Sequence, residues 1–181
     1  MEVHLLQKLL LVGPAAIALL LPTPAGAQSS EDMCSVTETI QLQPAIFRDL
    51  IAWIVTKTGW ATEEPPLICF VSFGQLRKIY YGNGDASNDL QIHALYSVET
   101  HKVYLLENWH PDDLHDRAAL LHELLHYLQQ LNNVKAACLA ANELQAYHLQ
   151  LEWIREQDIQ DPYKFLDIEE FTIKLLSQCD D

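Results

Sequence analysis

The feature that most constrains this chain is a pair of histidines four residues apart inside a long stretch of helical periodicity. His122 and His126 flank Glu123 in the run His-Glu-Leu-Leu-His. An α-helix advances about 100° per residue, so side chains four residues apart point in nearly the same direction. Both imidazoles can therefore reach one metal ion from one side of a helix. Glu123 lies beside them, where its carboxylate can take a proton from water at that ion.

Apolar residues at helical spacing predict the helix that carries these three side chains. His122, Glu123 and His126 lie on the flank of the apolar stripe, so they face neither the centre of the core nor open water. The helix is expected to begin at Leu114 and to end at Asn132-Asn133, because asparagine tolerates the conformation that ends helices. A surface helix that carries two histidines by chance is the alternative interpretation. The stripe consists of Leu114, Ala118, Leu121, Leu125 and Leu128.

A metal site of this type needs a third protein ligand, and a second predicted helix offers Glu143. The second helical pattern extends from about Ala136 to Gln157, and Glu143 lies at the edge of its apolar stripe. A short turn makes the two helices antiparallel neighbours, which brings Glu143 back towards His122 and His126. In the alternative interpretation, the Glu143 carboxylate reaches water or pairs with Lys135. The apolar positions are Ala140, Leu144, Tyr147, Leu151 and Ile154.

Together these residues resemble the gluzincin group of zinc metallopeptidases, in which a glutamate from a following helix completes a His-Glu-x-x-His site. The run Asn142–Tyr147 is similar to the Asn-Glu-x-x-Ser/Ala-Asp helix of that group, but Tyr147 stands where an acidic residue usually orients the ligand histidines. The same motifs also resemble a family of small secreted bacterial domains of uncharacterised function. The resemblance covers about Ile46 to Ile154. It implies a zincin-like fold, bound Zn²⁺ and peptide hydrolysis as a candidate activity, with no particular substrate.

The first 27 residues are expected to be a signal peptide. Lys8 precedes a 13-residue apolar run from Leu9 to Leu21, and Ala25-Gly26-Ala27 fits the small-x-small cleavage rule. Thirteen residues are too few to span a bilayer, which needs about 20. We therefore expect cleavage before Gln28, export to the periplasm or the medium, and no membrane association afterwards.

The rest of the chain is predicted to contain one folded domain. Residues 28–43 are polar and expected to be poorly ordered, and residues 44–181 are long enough for one core. The net charge of −14 repels nucleic-acid phosphates and anionic lipids, so we expect neither as a partner. A peptide or protein substrate is the expected partner class, and the oligomeric state stays open.

Apolar patterns and turn residues predict an α+β fold. The expected order is an N-terminal helix, a short antiparallel sheet, the two antiparallel metal-binding helices and a C-terminal helix. The strand before the first metal-binding helix is expected at the sheet edge, where the zincin resemblance implies that it binds an extended substrate. A covered, structural strand is the alternative. The remaining bounds are a helix from Pro44 to about Gly59, a strand 67–72, a helix 75–81, a loop 83–88, hairpin strands 92–98 and 102–106, and a helix 168–177.

Four cysteines follow the apolar run, and an even number in an exported chain suggests two disulfides. The pairs expected among the three connectivities are Cys34–Cys179 and Cys69–Cys138. Cys138 lies five residues before Glu143, so a bridge at Cys138 would fix how the second helix approaches the histidines. Four separate thiols are the alternative.

Two residues outside the ligand set are weighed for a role in the site. Tyr147 lies one turn after Glu143, where it can donate a hydrogen bond to a developing oxyanion or simply pack between helices. His115 roughly shares the face of His122, but we expect a solvated histidine near a helix start.

These observations predict an exported zinc-dependent hydrolase, most economically a peptidase. His122, His126 and Glu143 would hold Zn²⁺, and Glu123 would activate a water in the fourth position. The first alternative is a non-catalytic, zinc-stabilised extracytoplasmic binding module. The second is a metal-free interaction protein stabilised by disulfides.

Overall fold

The computed structural model describes residues 44–82, 92–138 and 140–179. Within these ranges the chain forms six helices and one three-stranded mixed sheet, so the predicted α+β class is confirmed. The helices are α1 (Pro44–Thr58), α2 (Phe73–Tyr81), α3 (Leu114–Leu131), α4 (Ala141–Glu156), α5 (Pro162–Phe165) and α6 (Glu170–Leu176). The strands are β1 (Leu67–Val71), β2 (Ala94–Ser97) and β3 (Lys102–Leu106). The predicted signal peptide (1–27), polar segment (28–43) and loop (83–88) lie outside the described residues.

The sheet has the order β1-β3-β2. β2 and β3 form the predicted antiparallel hairpin, and His101 in the connecting turn has a positive φ of 55°. β1 runs parallel to β3, with Leu67 opposite Lys102 and Val71 opposite Leu106. The expectation of a purely antiparallel sheet is therefore wrong. Parallel strands need a long connection, and the segment that contains α2 and β2 provides it.

The expectation that β3 is an edge strand is also wrong. β3 pairs with a neighbour on each side, and its Val103, Tyr104 and Leu105 are almost completely buried. A central strand buries both of its faces, so it carries a continuous apolar run instead of an alternating one. Among the strands that the structure describes, the edge strand that contacts α3 is β2.

Two helix starts differ from the predictions because of capping residues, and α4 begins at Ala141 instead of about Ala136 with no side-chain cap. α2 begins at Phe73, before the predicted start, because Ser72 and Gln75 form a reciprocal capping box. α5 was not predicted, although Asp161 caps it and Pro162 occupies its first turn, which is a typical helix start. In the described part of the chain, no helix combines the length and the apolar character needed to cross a bilayer.

α3 is the helix around which the core is built. It contacts α1, α4, β2 and β3, so it buries more than the single predicted stripe. Truncation of a fully buried leucine to alanine typically lowers the free energy of unfolding by about 2–5 kcal/mol, so each completely buried leucine of this helix contributes substantially to stability. The completely buried leucines of α3 are Leu120, Leu121, Leu124, Leu125 and Leu128.

Cys138 forms a disulfide with Cys179, 41 residues later, and joins the segment before α4 to the segment after α6. The expected pairs Cys34–Cys179 and Cys69–Cys138 are therefore wrong. Sequence spacing does not determine connectivity, and here the packing of α6 against α4 brings the two cysteines together. Cys69 in β1 is disulfide-bonded as well.

We expect loss of the Cys138–Cys179 bridge to destabilise the fold. Replacing both cysteines by alanine removes a cross-link of a kind that typically contributes about 2–4 kcal/mol. The free energy of unfolding from urea denaturation should fall by about that amount. Non-reducing peptide mapping of the wild type should recover Cys138 and Cys179 in one linked pair of peptides. A map that joins Cys138 to a different cysteine would contradict this arrangement.

Candidate metal centre

α3 carries three buried polar side chains, those of His122, Glu123 and Gln129. Asp113 caps the helix by accepting from the backbone N–H groups of His115 and Asp116. Two turns later, His122 and Glu123 are only 8% and 9% exposed. Polar groups at this depth are costly unless they are hydrogen-bonded or paired, so each of them requires partners.

α4 presents Glu143 to α3 from a face that differs in part from the predicted one. Leu144 is 37% exposed, whereas Ala146 is completely buried and Gln150 is also buried. Glu143, Ala146 and Gln150 recur at helical spacing and so lie on one face of α4. Of the predicted apolar stripe, Leu151 and Ile154 are buried as expected, whereas Leu144 is exposed. The small side chain of Ala146 lets the backbones of the two helices approach closely.

The structure brings the two α3 histidines and Glu143 together. The Nε2 atom of His122 lies 3.2 Å from Glu143 Oε2, and the Nε2 atom of His126 lies 3.2 Å from Glu143 Oε1. The two Nε2 atoms are 3.0 Å apart. One ligand atom from each residue falls within 4.8 Å of the others. The alternative partner Lys135 is exposed, and both carboxylate oxygens contact histidines instead.

These separations fit the ligand shell of Zn²⁺. A tetrahedral zinc site with bonds of about 2.0–2.1 Å holds neighbouring ligand atoms about 3.3 Å apart. The separation of the two Nε2 atoms, 3.0 Å, is close to that edge length, and each Nε2 lies 3.2 Å from a different oxygen of the Glu143 carboxylate. Two imidazoles and one carboxylate also form a ligand set that leaves the fourth zinc position open.

The cluster has strongly perturbed acid–base properties. Burial by itself would raise the pKa of Glu143, but its hydrogen bonds to His122 and His126 outweigh burial and hold that pKa well below its usual range. Burial by itself would lower the pKa of His126, but the hydrogen bond to Glu143 and the charges of Glu123 and Glu143 raise it to about 9. Without a metal, therefore, a proton supplies the positive charge that Glu143 attracts.

Glu123 is held by the edge of the sheet. Its Oε2 accepts a hydrogen bond of 2.6 Å from the backbone N–H of Tyr96 in β2. A carboxylate has two oxygens that accept hydrogen bonds, so Oε1 can act on a second partner. Glu123 directly follows His122 on α3, and its negative charge contributes to the raised pKa of His126.

Two tyrosines border the site. The ring of Tyr147 lies 4.6 Å from the ring of His122. Burial, with the charges of Glu143 and Glu123, raises the pKa of Tyr147 to about 12. Burial also raises the pKa of Tyr80 in α2, and the same two glutamates contribute. Tyr80 escaped the sequence analysis because nothing in its local pattern indicates that α2 faces the helix pair.

Two buried glutamines are the other site residues that the sequence analysis missed. Gln150 Oε1 lies 3.2 Å from His122 Nδ1, and Gln129 Oε1 lies 2.9 Å from His126 Nδ1. Both glutamines are nearly inaccessible to solvent. Their spacing was an available signal, because Gln129 follows His126 by three residues and Gln150 follows Glu143 by seven, which places each of them on the face of its neighbour.

Three further histidines, among them His115, lie outside the cluster. The His115 ring stacks on Phe165 of α5 at 3.7 Å between centroids. His110 and His148 are exposed. None of these three belongs to the group that the structure brings to Glu143.

Residues 39–181 match the model of a family described as Domain of unknown function (DUF6647). The match spans every helix and strand from α1 to α6. No curated protein and no solved structure matches the chain.

We expect the stability of the zinc-free protein to fall at alkaline pH. The pKa of His126 rises from 6.5 to about 9 on folding, so protonated His126 stabilises the fold fully below pH 6.5, and this contribution is lost as the pH passes through about 9. Urea denaturation in the presence of a chelator should show a loss on the order of 2 kcal/mol across this range. His126→Gln should flatten the profile, and His115→Gln should leave it unchanged. If the free energy of unfolding of His126→Gln fell equally steeply with pH, the assignment of this pH dependence to His126 would be wrong.

Proposed function

The chain belongs to the DUF6647 family, and we propose that it is an exported zinc-dependent hydrolase that cleaves peptides. His122, His126 and Glu143 would hold Zn²⁺ and leave one position open. One observation carries the proposal: two imidazole nitrogens and a carboxylate converge beside Glu123, a second carboxylate that the sheet edge holds independently. This combination resembles the gluzincin site, whose third ligand also comes from a following helix.

Glu123 would act as the general base and then as the general acid. Zinc, when bound, would polarise the scissile carbonyl and make a water deprotonate near neutral pH. The bond from Tyr96 N–H fixes one oxygen of Glu123, so the other can take the proton of the attacking water. The same carboxyl group would then pass this proton to the departing amine nitrogen.

Tyr147 would stabilise the charge that develops on the carbonyl oxygen. Its pKa of about 12 keeps the phenol protonated at neutral pH, so the hydroxyl can donate a hydrogen bond. The position of Tyr147 against His122 supports a hydroxyl close to the reacting carbonyl. Packing between the helices is compatible with this role.

An extended peptide beside β2 is the proposed substrate. β3 has neighbours on both sides, so the earlier expectation that β3 binds the substrate does not hold. β2 is the edge strand that reaches the base, because the backbone N–H of Tyr96 contacts Glu123. A peptide that paired with β2 as an additional strand of the sheet would lie directly over Glu123.

Export of the protein is part of the proposal. The apolar N-terminal run and its small-x-small site support cleavage after Ala27. The Cys138–Cys179 disulfide supports an oxidising compartment, since such bonds are rare in the cytosol.

A zinc-stabilised module without catalytic activity is the second candidate. His122 and Glu123 are almost completely buried, which favours a closed, structural site. In addition, a concavity of about 520 Å³ lies on the exposed side of α4, lined by Leu144 and His148 among others. That concavity lies away from the buried face that carries Glu143 and Gln150.

We expect the purified domain to bind one zinc ion through the three proposed ligands. His126→Ala and Glu143→Ala should each lose most of the bound zinc, because a three-ligand site tolerates few missing partners. Glu123→Gln should keep it, because this side chain handles a proton and is not a ligand. Metal analysis of protein purified without added zinc measures the stoichiometry.

Folding of each variant is checked by circular dichroism, and His148→Ala serves as the matched control on the exposed side of α4. A folded Glu143→Ala variant with full zinc would show that the third ligand is wrong. Equal zinc in all variants would exclude the helix pair as the site.

We also expect hydrolysis of peptides that depends on Glu123. The wild type should cleave members of an unlabelled peptide mixture, detected by mass spectrometry. Glu123→Gln should lower the rate by about 10²–10⁴-fold while zinc is retained, since this range is typical for a positioned general base. Glu152→Gln, an exposed glutamate on the same helix as Glu143, provides the control. Zinc binding without cleavage of any peptide would favour the non-catalytic module.

A further inference from the structure

Two buried glutamines connect the helix pair reciprocally. Gln150 of α4 reaches α3, where its Nε2 donates to the Ala118 carbonyl at 2.9 Å and its Oε1 meets His122. Gln129 of α3 reaches α4, where its Nε2 donates to the Asn142 carbonyl at 3.0 Å. Each glutamine therefore spans the helix interface and also contacts one histidine.

The backbone carbonyls determine which way each glutamine points. A carbonyl oxygen only accepts hydrogen bonds, so the amide nitrogens of Gln150 and Gln129 must face Ala118 and Asn142. The amide oxygens are then left facing the histidines. An amide oxygen also only accepts, so the Nδ1 atom that it contacts must carry a hydrogen.

We propose that Gln150 and Gln129 are positioning residues that hold His122 and His126 in the Nδ1–H tautomer and thereby present both Nε2 lone pairs to the metal. This inference rests on the proposed zinc site. In a neutral imidazole only one nitrogen carries the hydrogen. Fixing it on Nδ1 leaves Nε2 free on both rings, and the two Nε2 atoms are the ones that meet Glu143.

The glutamines take over the role that an acidic residue has in the gluzincin pattern. Tyr147 stands at the position where the gluzincin pattern has the acidic residue. Gln150 lies three residues later on the same face of α4. An amide accepts the Nδ1–H bond without adding a charge, so it is less costly to bury than a carboxylate. The charges that could balance Zn²⁺ are then those of Glu143 and Glu123.

Substitutions that remove the acceptor but keep the length of the side chain test this role. Gln150→Met and Gln129→Met should each weaken zinc binding by about 10–100-fold, the usual effect of losing a partner that orients a ligand histidine. Gln160→Met, at an exposed position after α4, should stay within about twofold of the wild type. Zinc affinity is measured by competition with a chromophoric chelator.

Gln150→Glu separates positioning from packing. The carboxylate can accept from His122 Nδ1–H but cannot donate to the Ala118 carbonyl when ionised. We therefore expect a lower free energy of unfolding together with a zinc affinity close to that of the wild type. A purely structural glutamine would lose stability and affinity in parallel.

Cobalt substitution gives a direct readout of the tautomers. Co²⁺-loaded wild type should show two strongly shifted imidazole N–H proton resonances that disappear slowly in D₂O, one for each protected Nδ1–H. Gln150→Met and Gln129→Met should each accelerate the exchange of one of them. If a methionine variant fails to fold, the wild-type spectrum decides: two such resonances support the assignment, and none overturns it.

The two hypotheses fail in different ways. Wild type that binds neither Zn²⁺ nor Co²⁺ overturns the proposed zinc function, and the positioning role with it. Wild type that binds zinc, with methionine variants of unchanged affinity and unchanged proton exchange, overturns only the positioning role.

Discussion

The close packing of α3 against α4 is the contact on which the rest of the molecule depends. Ala146 is completely buried at this interface, and its small side chain allows the separation at which Glu143 reaches both histidines. The same interface contains the two glutamine contacts, and the Cys138–Cys179 bridge lies just before the first turn of α4. The other faces of α3 pack against α1 and the sheet, so these elements support the α3–α4 interface.

The parts of this arrangement that depend on local spacing could be predicted from the sequence. The four-residue spacing of His122 and His126 requires only that the segment is helical, and the Asn132-Asn133 turn requires only that two helices lie side by side. The class of the fold followed for the same reason, because periodicity distinguishes helices from strands. Identification of Glu143 as the acid facing the histidines needed one further step, the return of an antiparallel helix.

The parts that depend on distant contacts could not be predicted. The parallel pairing of β1 with β3 and the Cys138–Cys179 bridge result from how elements pack, and neither leaves a local pattern. The spacing of Gln129 and Gln150 places them on the faces of site residues, but their contacts with the histidines cannot be inferred until the facing carbonyls are known. The exposure of Leu144 follows from the neighbours of α4, since this helix also packs against α5 and α6.

The placement of Glu123 has a consequence for the order in which the chain folds. The three proposed ligands lie on one helical hairpin, whose contacts are local and form early. Glu123 acquires its orientation from Tyr96 in β2, so β2 must pack against α3 before this carboxylate is held. On the proposed function, capture of the metal and orientation of the base are thus separate events in time. On that proposal, a chain whose two helices had paired before β2 packed against α3 would hold the metal without a positioned base, and it would gain activity only when β2 was in place.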